Sequence, residues 1–347
     1  MNELNRQTAQ SPQVVVITGA SAGVGRATVR EFAKRGARIA LLARGRDGLT
    51  AAAREVELAG GKALIVPVDT ADAEAVELAA TKIEEELGPI DIWVNNAMVT
   101  IFAPFKEITA EEFKRVTDVT YLGYVHGTMA ALKRMLKRDH GTIIQVSSAL
   151  AYRSIPLQSA YCGAKHAIEG FTDSLRSELI HDKSKVRITS VQLPAMNTPQ
   201  FGWARSRLPH RPQPVPPIFE PEVAARAIVW ATQHNRRQMA VGFPSVLAEW
   251  AQKLAPGLAD RYLGATAYKG QQIPDEPDPG NRPDNLYKPV DGDPGAHGQF
   301  SSRSHTRSPE VWISKNRSWL MLGAGIGALL WMGKRRLGRN PLLGTRI

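Results

Sequence analysis

Val14-Val15-Val16-Ile17-Thr18-Gly19-Ala20-Ser21-Ala22-Gly23-Val24-Gly25 is the stretch on which the fold of this chain turns. Four branched apolar residues in a row read as a strand buried on both faces, the pattern of a parallel sheet. Glycines follow at once, and a helical pattern then runs from Arg26 to about Arg35. Glycines between a strand and a helix let backbone amides approach a pyrophosphate at the helix N-terminus, where partial positive charge sits. The spacing is Gly-x-x-x-Gly-x-Gly, so it matches the Gly-x-Gly-x-x-Gly fingerprint in mechanism and not in letter. Taken alone, the loop is also compatible with an ordinary turn.

Working outward, further strand-like runs lie at Arg38 to Ala43, Ala63 to Val68, Ile90 to Asn95, Gly141 to Ser147 and Val186 to Gln192. Helical segments such as Leu49 to Ala59 and Ala73 to Leu87 separate them. Alternation of this kind predicts an α/β fold with one doubly wound parallel sheet.

Tyr161 and Lys165 stand four residues apart in Tyr161-Cys162-Gly163-Ala164-Lys165, with Ser148 thirteen residues upstream. Positions i and i+4 share a helix face. An ammonium beside a phenol is expected to favour the phenolate, lowering a reference pKa of about 10 toward working pH. Tyr161 is therefore a candidate acid/base, and the Ser148 hydroxyl could hold the same substrate oxygen. By itself a Tyr-x-x-x-Lys pair is equally a solvated helix face.

A third motif is Asp91-Ile92-Trp93-Val94-Asn95-Asn96-Ala97, an apolar strand ending in two asparagines. With Thr18-Gly19-x-x-x-Gly23-x-Gly25, Ser148 and Tyr161-x-x-x-Lys165, the chain closely resembles the short-chain dehydrogenase/reductase family from about Ser11 to Gly242. The resemblance implies a single Rossmann domain and hydride transfer between a nicotinamide and a carbonyl or alcohol carbon. Ser148 and Tyr161 would hold the substrate oxygen, and Tyr161 would protonate it. Lys165 would bind nicotinamide-ribose hydroxyls and favour the tyrosinate. Cofactor contacts are expected from Gly19, Ser21, Gly23, Val24, Gly25, Asn96, Ala97 and Pro194, while Asp69, with Thr70 beside it, resembles the aspartate that meets the adenine amino group.

Three positions depart from the family pattern. Thr120 aligns with the catalytic asparagine that kinks its helix and supports a water-mediated proton relay. Leu193-Pro194-Ala195-Met196-Asn197-Thr198 lacks the usual Pro-Gly, and its threonine comes one residue early. Met98 replaces the glycine that commonly follows Asn-Asn-Ala.

Cofactor choice is readable from Leu41-Leu42-Ala43-Arg44. An acid about twenty positions after the glycine loop would bind the ribose hydroxyls of NAD. Ala43 instead leaves room for a 2'-phosphate, with which Arg44 can form two parallel hydrogen bonds, so NADP(H) is expected. Met98, Ile101, Phe102, Tyr152, Ile155, Leu157, Phe201 and Trp203 are candidates to line the substrate cleft, with a substrate region near 194–221. Their character suggests an apolar small-molecule ketone or alcohol. A cofactor-binding scaffold or sensor on the same fold, catalytically weak and localised by its tail, is the alternative.

The chain has 347 residues, roughly a hundred more than one such domain needs. The expected organisation is a flexible N-terminus over 1–10, the Rossmann domain over 11–270, a disordered linker over 271–310 and a C-terminal segment over 311–347. The linker expectation rests on Pro, Gly, Asp, Asn and Ser with little to bury. Residues 319–333 form an uncharged run with tryptophan near each end, between Arg317 and Lys334-Arg335-Arg336. As a helix it would span ~22 Å against a ~30 Å bilayer core, short for a crossing but compatible with membrane contact. No secretory signal is visible, so a cytoplasmic chain, free or membrane-attached through its C-terminus, is expected, as is a homo-oligomer. The formal net charge of +11 is accounted for by a phosphate site and anionic lipid, and no nucleic-acid motif is present. Cys162 is the only cysteine, His126 and His166 lack a metal-ligand pattern, and no metal is expected.

Overall fold

Seven short strands lie side by side, all parallel: β1 Val14–Thr18, β2 Arg38–Ala43, β3 Lys62–Pro67, β4 Ile92–Asn95, β5 Thr142–Ser148, β6 Arg187–Leu193 and β7 Gln238–Ala240. The computed structural model describes residues 12–316. Strand alternation divides the apolar side chains between two cores. Val14 and Val16 pack with Ala40, Leu42 and Trp93 on one face, and Val15 and Ile17 with Ile39, Leu41 and Val94 on the other. Continuous apolar runs follow from burial on both faces. Helices α1 Gly23–Ala33, α2 Arg46–Leu58 and α7 Pro221–Gln233 help cover one face. The other is packed by α3 Ala73–Leu87, α5 Gly123–Arg138 and α6 Ser159–His181. α4 Ala110–Thr117 leads into α5 through a wider π-turn at Asp118–Leu122.

The strand order is β3-β2-β1-β4-β5-β6-β7. It reverses direction between β1 and β4, and in such sheets ligands bind in the crevice beyond the strand ends at that switch point. Thr18 and Asn95, at the two strand ends, flank it. β7 is absent from the sequence reading because it is a three-residue edge strand beginning with a glutamine; Gln238 pairs with Ser190 of β6. The other six strands lie within two residues of their expected bounds.

Residues 271–310, expected as a disordered linker, instead follow a defined course across the domain. Gln272–Pro277 pairs antiparallel with His210–Pro212, and Ser304–His305 pairs with Ile218–Phe219. The segment has few apolar side chains, but Leu286, Ala296 and Phe300 are each at most 3% exposed. Phe300 meets Phe201 edge-on at 5.8 Å, in a cluster with Phe102 and Leu157. A composition poor in apolar residues gave the expectation of disorder; a wrapped segment needs only enough of them to fill pockets the domain already offers. Two helices, α8 Phe243–Leu254 and α9 Pro256–Gly270, precede it. No helix among the described residues is long and apolar enough to cross a membrane. The apolar run at 319–333 and the N-terminal ten residues lie outside the described residues.

Phe300→Ala is expected to destabilise the fold by ~3 kcal/mol, the lower part of the usual range for a buried phenylalanine. A denaturant midpoint equal to that of the parent protein would mean that this segment does not pack in solution.

Candidate active site

The glycine loop is shaped by close approach. At Gly25 a Cβ would stand 2.1 Å from the Gly19 carbonyl oxygen, and Gly19 has a φ of +68°, a left-handed conformation costly for other residues. Asn95-Asn96-Ala97 holds the loop from beneath. Asn96 and Ala97 donate their backbone N–H groups to Thr18 Oγ1 at 2.8 and 3.0 Å, and Asn96 Nδ2 donates to the Thr18 carbonyl at 2.9 Å. The Asn95 side chain turns into the core, accepting from Trp93 Nε1 and donating to Thr128 and Gln145. No side chain caps the start of α1, and no acid lies in its first turn. A helix start without a side-chain cap beside a glycine cradle fits a dinucleotide pyrophosphate, although the Gly23 N–H is taken by the Gly295 carbonyl.

Beyond the strand ends lies one continuous cleft of about 930 Å³, lined by the glycine loop, Ser148, Tyr161 and Lys165, and reaching α8 and α9. Ser148 ends β5; Tyr161 and Lys165 project from the first turns of α6. Lys165 is only 2% exposed. Its Nζ donates to the Val146 carbonyl at 2.8 Å and to the Tyr124 hydroxyl at 3.0 Å, and lies 5.6 Å from the Tyr161 ring centre. Tyr124 in turn donates to the same Val146 carbonyl at 2.9 Å.

Desolvation rules the titration of this group. Burial pushes the Lys165 ammonium down to about 7, opposed by the charge of Glu169. Burial also pushes the Tyr161 phenol up, opposed by hydrogen bonding with Ser148. The expected lowering of Tyr161 by its lysine is not found in the protein alone, because loss of hydration penalises both charged forms.

Thr120 is fully buried and its hydroxyl is engaged by Val99, donating to the Val99 carbonyl at 2.8 Å and accepting the Val99 N–H at 3.0 Å. The residue that meets the lysine is Tyr124, four positions along the chain, which sequence reasoning missed. The i, i+4 spacing in Thr120-Tyr121-Leu122-Gly123-Tyr124 was the available signal.

At the far end of the cleft, Arg44 donates to the carbonyls of Asn285 and Leu286, and Arg115 donates to Leu286 and to Asp69 Oδ2. Asp69 thus has a cationic partner, and Thr70 accepts from His126 Nδ1 through its carbonyl. Pro289, Val290 and Pro294 line the cleft beside Ser21, Gly23, Val24 and Ala43. The wrapped segment is tied there: Gly23 N–H donates to the Gly295 carbonyl, and the buried Arg26 bonds to Asp293, Glu55 and the Gly48 carbonyl. Asn197 bonds Glu220, Ser301 and Phe300, and His297 lies 2.9 Å from Glu222. None of these tail contacts was foreseen.

Pro194 and Thr198 line the cleft, as do Met98, Phe102, Ile155, Phe201 and Trp203. Three expected lining residues do not. Ile101 and Leu157 are packed in apolar clusters, and the Tyr152 hydroxyl is held by Gln192 and Gln238. Alternation along short strands and turns sends such neighbours in opposite directions, which apolar character alone does not reveal.

A model of short chain dehydrogenases matches residues 13–207. The chain belongs to the short-chain dehydrogenase family. It is 32% identical to the uncharacterized oxidoreductase YxnA of Bacillus subtilis, over 93% of this chain and 91% of that one. It is 31% identical to a fatty acyl-CoA reductase of Acinetobacter baylyi, over 66% of this chain and 75% of that protein. An alcohol dehydrogenase from the archaeon Thermococcus sibiricus, solved with 5-hydroxy-NADP, superposes with a TM-score of 0.57 at 27% identity, covering 66% of this chain and 95% of that one. The protein is accordingly an oxidoreductase of this family, on a fold that binds a nicotinamide cofactor.

The depressed lysine carries a pH signature. Between about pH 7 and the ordinary lysine value of 10.5 the unfolded chain binds the proton that folded Lys165 gives up, so stability rises with pH over that window. Lys165→Met removes this contribution. Urea unfolding at pH 7, 8 and 9 is expected to show the stability of Lys165→Met relative to the parent falling by up to ~1.4 kcal/mol per pH unit. A difference independent of pH would contradict a desolvated Lys165.

Proposed function

We propose that this protein is an NADP(H)-dependent oxidoreductase acting on a carbonyl or alcohol carbon of an apolar small molecule, with Tyr161 as general acid/base. The observation that carries the proposal is the convergence of Ser148, Tyr161 and Lys165 on one cleft that continues into the glycine cradle. When bound, the nicotinamide exchanges a hydride with the substrate carbon.

The chain's own groups handle the oxygen. Ser148 donates a hydrogen bond to it, and Tyr161 delivers a proton as negative charge develops. Because burial keeps the Tyr161 phenol protonated, the protein starts in the form that carbonyl reduction requires. Lys165 stands close enough to stabilise the tyrosinate left behind, and the Tyr124 hydroxyl and Val146 carbonyl hold its ammonium in place.

Preference for the phosphate-bearing cofactor is supported by Ala43 and Arg44. Two N–H groups of Arg44 go to tail carbonyls, which fixes the guanidinium, and others of its five remain for a phosphate. The T. sibiricus enzyme with its NADP analogue and the fatty acyl-CoA reductase lend weight to NADP(H) and to an apolar substrate. The apolar run at 319–333 with its basic flanks supports attachment to a membrane surface.

Tyr161→Phe is expected to lower kcat at least ~100-fold while the NADPH dissociation constant stays within a few-fold; substantial turnover in that variant would exclude Tyr161 as the acid. Arg44→Ala should cut the preference for NADPH over NADH, measured as a ratio of kcat/KM, at least ~tenfold. A parent enzyme that prefers NADH tenfold would sink the cofactor assignment. Truncation of residues 311–347 should release the protein from the membrane fraction, and an unchanged partition would count against the anchor.

A further inference from the structure

Resting on the oxidoreductase reading above, we infer that the substrate carries a long unbranched hydrocarbon chain, which lies in an open groove between α8 and α9 and the Gln213–Pro216 segment. Each helix turns one face into the cleft. On α8, Pro244, Leu247, Ala248 and Ala251 follow the i, i+3, i+4, i+7 spacing, and on α9 the pattern continues through Ala259, Leu263 and Ala267. Pro214, Val215 and Pro216 line the same cleft. These residues belong to the same cleft as Tyr161, so a chain in the groove leads directly to the reacting oxygen.

The groove is lined mostly by apolar side chains. Alanines at 248, 251, 255 and 259 alternate with Leu247, Leu258, Tyr262 and Leu263, so small side chains form the floor and large apolar ones border it, a lining that suits methylenes. Thr266 brings a hydroxyl, which donates to the Tyr262 carbonyl on its own helix. Arg153 is the charged residue at this end among the described lining residues, and both of its terminal nitrogens are committed, Nη1 to Gln252 of α8 and Nη2 to Asp260 of α9. That pair of contacts ties the two helices together over the cleft, while the buried Nε of Arg153 has no hydrogen-bond partner among the described residues.

Apolar surface lies open along the groove. Leu247, Leu258 and Tyr262 line the cleft and are each more than half exposed to water. Covering them with hydrocarbon is favourable in proportion to the area removed from water. α9 is 15 residues long, ~22 Å, so the groove extends well beyond the reach of a small ketone.

The test combines turnover and binding on the full chain. Straight-chain aldehydes from butanal to tetradecanal are assayed with NADPH, and binding of the fluorescent straight-chain probe cis-parinaric acid is titrated separately. We expect kcat/KM to rise roughly threefold per methylene until the groove is filled, with the probe bound saturably. Ala251→Phe and Ala259→Phe, on different helices, should each lower the ratio of kcat/KM for tetradecanal over butanal at least tenfold and weaken the probe by a similar factor. Reduction that is equally fast at all lengths, with no probe binding, overturns the groove and leaves the oxidoreductase reading intact. Probe binding that the two variants weaken, with no aldehyde reduced, supports the groove and counts against the oxidoreductase reading. Probe binding unaffected by both variants overturns the groove.

Discussion

The arrangement of this protein depends on one desolvated ammonium. Lys165 is almost wholly removed from water, and its Nζ has two oxygen acceptors, the Val146 carbonyl and the Tyr124 hydroxyl. Such a group is tolerated only where the surrounding polar atoms are fixed, because a charge buried among mobile partners loses its hydration without return. β5 supplies the carbonyl, α5 the phenol, and α6 the lysine itself. The parallel sheet, the turn before α5 and the register of α6 must all be correct for those atoms to meet. Tyr161, one turn from Lys165, is thereby placed at the cleft wall beside Ser148.

The same economy holds at the other end of the cleft. Gly25 lets α1 begin against the Gly19 carbonyl, and the Asn96 side chain and backbone clamp Thr18 beneath it. The wrapped segment closes over this region through Arg26, Arg44 and Arg115, whose donors reach Asp293, Asn285 and Leu286. Arginine suits the task because a planar guanidinium makes several bonds at once: Arg26 and Arg115 each join the tail to a second element, and Arg44 holds two successive tail carbonyls. A family domain and a segment of low apolar content are thus joined by cations that also border the cofactor region.

Most of the frame was legible in the chain. Val14 to Ile17 announced a strand buried on both faces, and the glycine, Asn-Asn-Ala and Tyr-x-x-x-Lys motifs fixed the topology in which Ser148, Tyr161 and Lys165 come together. What could not be read depended on contacts between distant residues. Tyr124 meets Lys165 across 41 positions, and the tail reaches Arg44 across more than 240. Leu286 and Phe300 look isolated in sequence because the pockets that receive them are built elsewhere. The expected lowering of the Tyr161 pKa failed for a similar reason: the charge of a neighbour is visible in the sequence, and the loss of water around both groups is not. β7 escaped notice because three residues at a sheet edge carry no period.

Transfer of deuterium from the cofactor tests the central claim most directly. The full-length protein is incubated with a straight-chain aldehyde and NADPH bearing deuterium at both C4 positions, and the product is analysed by mass spectrometry. Hydride transfer in this cleft predicts an alcohol with a single deuterium on its carbinol carbon, formed in step with loss of NADPH. An alcohol without deuterium, or none formed while the cofactor is demonstrably bound, would contradict the account.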